Sequence, residues 1–186
     1  MKAHSNRFTV AMEMFPKTSE ILNILDANNI TYAVGGSVSL YTQGIERLPH
    51  DVDIMFMDDA HKLANDIFNI KTEIITRPNV SMHKSTPVAD GSVDFLSEYI
   101  VIANGNSYTN PPEHTEKVSV LFKNRKIKLI PAEKIAVFKL IGQREHHSDL
   151  NDFNELFQHP DFDLKLFWSM VEALDAHEIV AARLKD

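Results

Sequence analysis

Hydrophobic and polar positions alternate along this chain with two different periods, and the change of period divides it. Ile21, Leu22, Ile24 and Leu25 recur at helical spacing, so the pattern predicts a helix that Thr18 or Ser19 can cap and that Asn28-Asn29 stops. A short strand from Thr31 to Val34 follows. Gly35-Gly36 then turns the chain into a helix carrying Val38, Leu40 and Tyr41 that ends near Gly44. Asp51 to Met57 reads as a strand, Asp58-Asp59 as the cap of a helix bearing Leu63, Ala64, Ile67 and Phe68, and Glu73 to Thr76 as another strand.

Between Arg77 and Gly91 the periodicity fades and Pro78 and Pro87 enter, as in a loop or irregular hairpin close to a functional site. Ser92 to Leu96 reads as a strand and Ala103 to Glu116 as a loop. Lys117 to Phe122 with Lys126 to Ile130 forms a predicted hairpin. From Pro131 onward the pattern is helical. Pro131 suits a first helical turn, Asp149 to Gln158 and Asp163 to Ala176 follow as helices, and Ala176 to Leu184 extends or follows the last. The expected architecture is α/β (α+β): a mixed β-sheet flanked by helices over residues 1–130, then a C-terminal helical region over 131–186.

Composition narrows the function classes. A chain of 186 residues supports one substantial core with a small appended part. With 26 acidic against 19 basic side chains, the formal net charge of −7 opposes long-range attraction to nucleic acid or an anionic membrane. A nucleic-acid substrate would need a local basic patch, and Lys123, Arg125, Lys126 and Lys128 are the candidates, although alternation in a strand usually means a solvated face. There are 0 cysteines, which excludes disulfides, thiolate metal sites and cysteine nucleophiles. No apolar leader opens the chain and no stretch reaches the roughly 18 apolar residues of a membrane span, so the expected setting is cytoplasmic.

The candidate chemistry lies in Gly35-Gly36-Ser37 and Asp51-Val52-Asp53. Residues two apart on a strand share a face, so Asp51 and Asp53 project together while Val52 and Ile54 pack behind them. Two carboxylates so close repel, and a bound Mg²⁺, which takes oxygen ligands from one or two carboxylates plus substrate phosphates, relieves that repulsion. Glycines let the backbone approach a phosphate, the amides opening the following helix present partial positive charge, and Ser37 adds a hydroxyl donor. Each motif alone is common. Their conjunction in strand, turn, helix, strand order carries the reading.

Tyr32-Ala33-Val34-Gly35-Gly36-Ser37, Asp51-Val52-Asp53-Ile54 and Val93-Asp94-Phe95 together resemble the nucleotidyltransferase superfamily. The resemblance covers roughly residues 18 to 130, and the segment from Leu129 through Lys139, Arg144, Asp149 and Asp152 is similar to the region after the core in lincosamide nucleotidyltransferases and AbiEii-like proteins. It implies that Gly35, Gly36 and Ser37 hold nucleotide phosphates, and that Asp51, Asp53 and Asp94 form a two-metal Mg²⁺ site. In such a site one ion activates the attacking oxygen and the other neutralises the triphosphate. Asp94 would ligate the acceptor-side metal or accept the acceptor's proton, with Asp90 as its substitute under another register. Lys139 and Arg47 are candidate phosphate contacts, Arg144 a weaker one, and His50 stands beside Asp51.

The substrate expected on this basis is an NTP such as ATP, with a hydroxyl acceptor on a small molecule, protein or RNA. A homodimer or a toxin-antitoxin partner is compatible with it. The alternative is a non-catalytic or regulatory module of the same fold, such as a toxin-antitoxin component; a phosphohydrolase could also use Asp-x-Asp, but the Gly-Ser turn argues against it. A zinc site at His146-His147 with Glu145, Asp149 and Asp152 is disfavoured, because adjacent helical residues do not share a face. Phe153, Phe157, Phe162, Phe167 and Trp168 read as core or a helix interface.

Overall fold

The computed structural model describes residues 2–109, 118–142 and 147–184. Two helices open the chain, α1 (Lys2–Met14) and α2 (Pro16–Ala27). Residues 2–14 received no element from the sequence pattern. Their helix is nonetheless driven by burial, because Phe8, Ala11, Met12 and Phe15 fall on one stripe that closes over the sheet, with the Phe8 ring edge-on to Phe122 at 5.4 Å. Pro16 begins α2 in place of the expected Thr18 or Ser19 cap, at a position where its missing N–H costs nothing. Asn29, at φ +56°, stops that helix as expected.

The strands are β1 (Tyr32–Val34), β2 (Val52–Phe56), β3 (Glu73–Arg77), β4 (Val80–Ser85), β5 (Val93–Ala103), β6 (Asn106–Thr109), β7 (Val118–Phe122) and β8 (Arg125–Leu129). Between them lie α3 (Gly36–Thr42) and α4 (Asp58–Phe68). The described strands form one mixed sheet in the order β3-β4-β5-β2-β1-β8-β7, with β6 added to the far half of β5. The fold is thus α/β with a mixed sheet, as expected. Strand β2 shows why: Val52, Ile54 and Phe56 are buried on one face while Asp53 and Met55 take the other.

The segment read as irregular after Arg77 is an ordered hairpin, with β4 pairing β3 on one side and β5 on the other through a bulge between Ser81 and His83. The loop expected from Ala103 contains a strand, since Asn104 at φ +51° and Gly105 at φ +78° make a tight turn that folds β6 back onto β5. The β7–β8 hairpin turns at Lys123 and Asn124, both with positive φ.

The remaining helices are α5 (Ala132–Ile141), α6 (His147–Gln158), α7 (Leu164–Ala173) and α8 (His177–Arg183). Asp163 caps α7 by accepting the Leu166 amide at 2.9 Å. Asp175 at φ +51° separates α8 from α7. Two hydrophobic clusters result. The first joins α1 and α2 to the sheet through Leu22, Leu25, Ile54, Phe95 and Leu129. The second gathers Phe138, Ile141, Phe153, Leu156 and Phe167 with Leu40 and Ile45 around α3 and Val101 of β5. Among the described residues, no helix is long and apolar enough to cross a membrane.

Candidate active site

The strand directions bring the sequence motifs to one end of the sheet. Strands β1 and β2 are antiparallel with Val34 opposite Ile54, so the turn leaving β1 lies against the beginning of β2, and the Gly35 amide donates to the Asp53 carbonyl at 2.8 Å. Strand β5 runs parallel to β2 with Asp94 opposite Asp53, which places both side chains on the same face. Asp51 precedes β2 on that face. One carboxylate oxygen from each of Asp51, Asp53 and Asp94 lies within 4.8 Å of the others.

Gly36 explains why the turn must be glycine. Its φ is +54°, and a Cβ there would stand 1.8 Å from Asp53 Oδ2, a collision with the carboxylate itself. The turn and the acid are therefore packed together as one unit. Gly35 is close to Met55 and Ile130, where a Cβ would approach Met55 Cγ to 3.1 Å. Ser37 turns its hydroxyl onto Asp51, 3.3 Å from Oδ1 and 3.3 Å from the carbonyl, so it bridges the Gly turn to the first acid.

Asp94 is the most enclosed of the three, at 6% exposure, because the first five residues of β5 are buried on both faces. Burying a carboxylate requires partners, and it has two: Lys84 Nζ donates to Oδ2 at 2.6 Å and Thr86 Oγ1 to Oδ1 at 3.0 Å. Lys84 and Thr86 were not among the sequence candidates. Their signal was the β4 register, which sets Lys84 beside Leu96 and Ser85 beside Phe95, and it is visible only once β4 is laid against β5.

A second polar chain supports the same strands from behind. His61 of α4 lies buried and stacked on Phe56, with Nδ1 2.7 Å from Ser97 Oγ and Nε2 2.9 Å from Ser85 Oγ. Ser85 in turn donates to Asn65 Oδ1 at 2.6 Å. Since the Ser85 proton is committed to Asn65, Nε2 donates to Ser85.

Asp90 is not part of the site. It pairs with Lys17 at 2.7 Å and accepts from the Ser92 amide and hydroxyl; the Lys17 bond first, then the Ser92 bonds, hold its carboxyl well below the usual range. His50 is exposed in the turn before Asp51, and Arg47 is half-buried in the loop between α3 and β2. Lys139 lies with Ile135 on the stripe of α5 that reaches solvent. Arg144, Glu145 and His146 fall outside the described residues, as do the side chains of His147, Asp149 and Asp152.

No protein-family model and no curated protein matches this chain. Among solved structures, a Thermotoga maritima protein provisionally assigned as a nucleotidyltransferase superposes over 76% of this chain and 92% of its own, with a TM-score of 0.58 at 20% identity. The fold is nucleotidyltransferase-like. An antigenic nucleotidyltransferase-like protein from Paracoccidioides brasiliensis aligns over 97% of this chain and 93% of its own at 14% identity, with a TM-score of 0.39. The Gly turn and the acids converge here because β2 lies between β1 and β5 in the sheet. The donor set is chemically suited to a hard divalent cation, being all carboxylate oxygen with a hydroxyl alongside.

Proposed function

We propose that this protein is a Mg²⁺-dependent nucleotidyltransferase that moves a nucleoside monophosphate from an NTP to a hydroxyl acceptor. The observation that carries the reading is the close group of Asp51, Asp53 and Asp94 oxygens beneath a turn in which Gly36 admits no side chain. Residues 1–130 act as the core that holds these groups, and residues 131–186 as the helical part bordering it.

Asp51, Asp53 and Asp94 are the metal ligands in this proposal. Bound there, Mg²⁺ supplies Lewis-acid polarisation of the phosphoryl oxygens and neutralises charge on the departing pyrophosphate. Gly35 and Gly36 leave the backbone open to the triphosphate, with Ser37 beside it, while Lys139 and Arg47 are the cationic side chains assigned to the nucleotide. Asp94 receives the proton of the acceptor hydroxyl on a carboxylate oxygen. The hydroxyl oxygen then bonds to the α-phosphorus as the bond to pyrophosphate breaks. The acceptor is a hydroxyl of a small molecule, protein or RNA, and the net charge of −7 favours the first two.

The test is pyrophosphate release from NTPs by purified protein in Mg²⁺, with Asp51→Asn and Asp53→Asn compared to the parent. Removing the anionic ligands should lower the rate by about 10²-fold or more. Release that persists unchanged in both variants sinks the assignment.

A further inference from the structure

Lys84 is a charged group at the site that the nucleotidyl-transfer reading does not use. It extends from β4 across the sheet to Asp94, with a contact of 2.6 Å, and its side chain keeps 35% exposure while the Asp94 side chain has 9%. A carboxylate this enclosed is expensive to leave unpaired. Asp94 also accepts from Thr86, so both of its oxygens already have donors without any ion. Lys84 thus sets an ammonium directly against one of the three clustered carboxylates.

Resting on the proposed function, we infer that Lys84 is a resident counter-cation that limits the acid cluster to weak, single-ion binding until a triphosphate arrives. The ammonium sits on Asp94 Oδ2, one of the two oxygens of a carboxylate that belongs to the cluster, so a divalent ion entering there meets a positive charge a few ångströms away. Even at the dielectric of water, a unit charge about 5 Å from a divalent ion lowers its affinity by about tenfold. A nucleoside triphosphate changes the balance, because its negative charge compensates a second ion and gives the ammonium an alternative anion. Metal uptake is thereby tied to substrate, and Lys84 is a positioning residue for the third carboxylate.

The experiment is a Mn²⁺ titration of the full chain without nucleotide, reading free Mn²⁺ by electron paramagnetic resonance. Lys84→Met should bind Mn²⁺ about tenfold more tightly than the parent. Lys84→Gln keeps a hydrogen-bond donor for Asp94 and removes only the charge, so it should show the same gain and answers the question if the Met variant fails to fold. Lys84→Arg should restore parental affinity. Adding a non-hydrolysable NTP should tighten Mn²⁺ binding in the parent more than in Lys84→Gln. Unchanged or weaker Mn²⁺ binding in Lys84→Gln overturns the inference. Asp53→Asn separates the two readings: if it binds Mn²⁺ as the parent does, the metal site itself is wrong, whereas if it loses Mn²⁺ and Lys84→Gln matches the parent, only the role of Lys84 falls.

Discussion

Single residues in this protein are defined by what encloses them. Tyr32, at the start of β1, is buried, and its hydroxyl donates to Asp26 Oδ1 at 3.0 Å. Burial first, then the negative charge of Asp26 and its hydrogen bond, raise the phenol well above its ordinary value near 10. A group whose folded pKa is raised contributes stability that is whole below the unfolded value and is lost above it. The protein should therefore lose stability as pH climbs past about 10. Tyr32→Phe should remove that part of the alkaline loss, and denaturant unfolding at two or three alkaline pH values will show whether it does. The same principle of enclosure decides what a sequence reveals. Asp51 and Asp53 were legible because a two-residue spacing on a strand needs no knowledge of neighbours. Asp94 required the resemblance, since a parallel register with β2 lies 41 positions away in the chain and leaves no local mark. Lys84 and Thr86 required the register of β4 as well, and the sequence pattern there was too weak to supply it.

At the scale of elements, α3 is tied in place from two sides. It has only seven residues, too few to be stable by itself. Arg7 of α1 donates to the Tyr41 carbonyl at 2.6 Å and to the Ile45 carbonyl, and stacks on the Tyr41 ring at 4.4 Å, which holds the C-terminal end. Gln43 ties the same end to α5: its Nε2 donates to the Ile130 carbonyl at 2.9 Å and to Ser39 Oγ at 2.8 Å, while its Oε1 accepts the Ala132 amide at 3.0 Å. Removing that side chain leaves a buried amide without its partner. Gln43→Ala should cost about 1–3 kcal/mol in urea unfolding, more than an exposed glutamine would. Elements with strong periodicity or decisive turn residues were readable in advance, such as β2, α5 and the β7–β8 hairpin. Helix α1 was missed because its apolar stripe is interrupted by polar residues. Strand β6 was missed because Tyr108 alone among its residues is buried; the Asn104-Gly105 pair was the hairpin signal that polarity obscured.

For the molecule as a whole, the second hydrophobic cluster decides how many parts unfold. Helices α5 to α8 pack with Leu40, Ile45, Val101 and Tyr108, residues that belong to α3, its following turn and the far half of the sheet. The change of pattern at Pro131 is thus bridged by a shared core. Trp168, the only tryptophan, stands on α7 beside Phe167 and reports on the helical end. Its fluorescence and the far-UV ellipticity should follow one urea transition. A tryptophan change that precedes the loss of ellipticity would show the helices melting by themselves. Strand order carries a further consequence, for the chain as it leaves the ribosome. Strand β1, which ends in the Gly turn, is held between β2 and β8, and β8 is the last of the described strands in chain order. A nascent chain halted before Leu129 already holds all three aspartates, yet it lacks the strand that flanks the turn beside them. Premature termination in that interval yields a chain with Asp51, Asp53 and Asp94 in place and the Gly turn beside them open on one side.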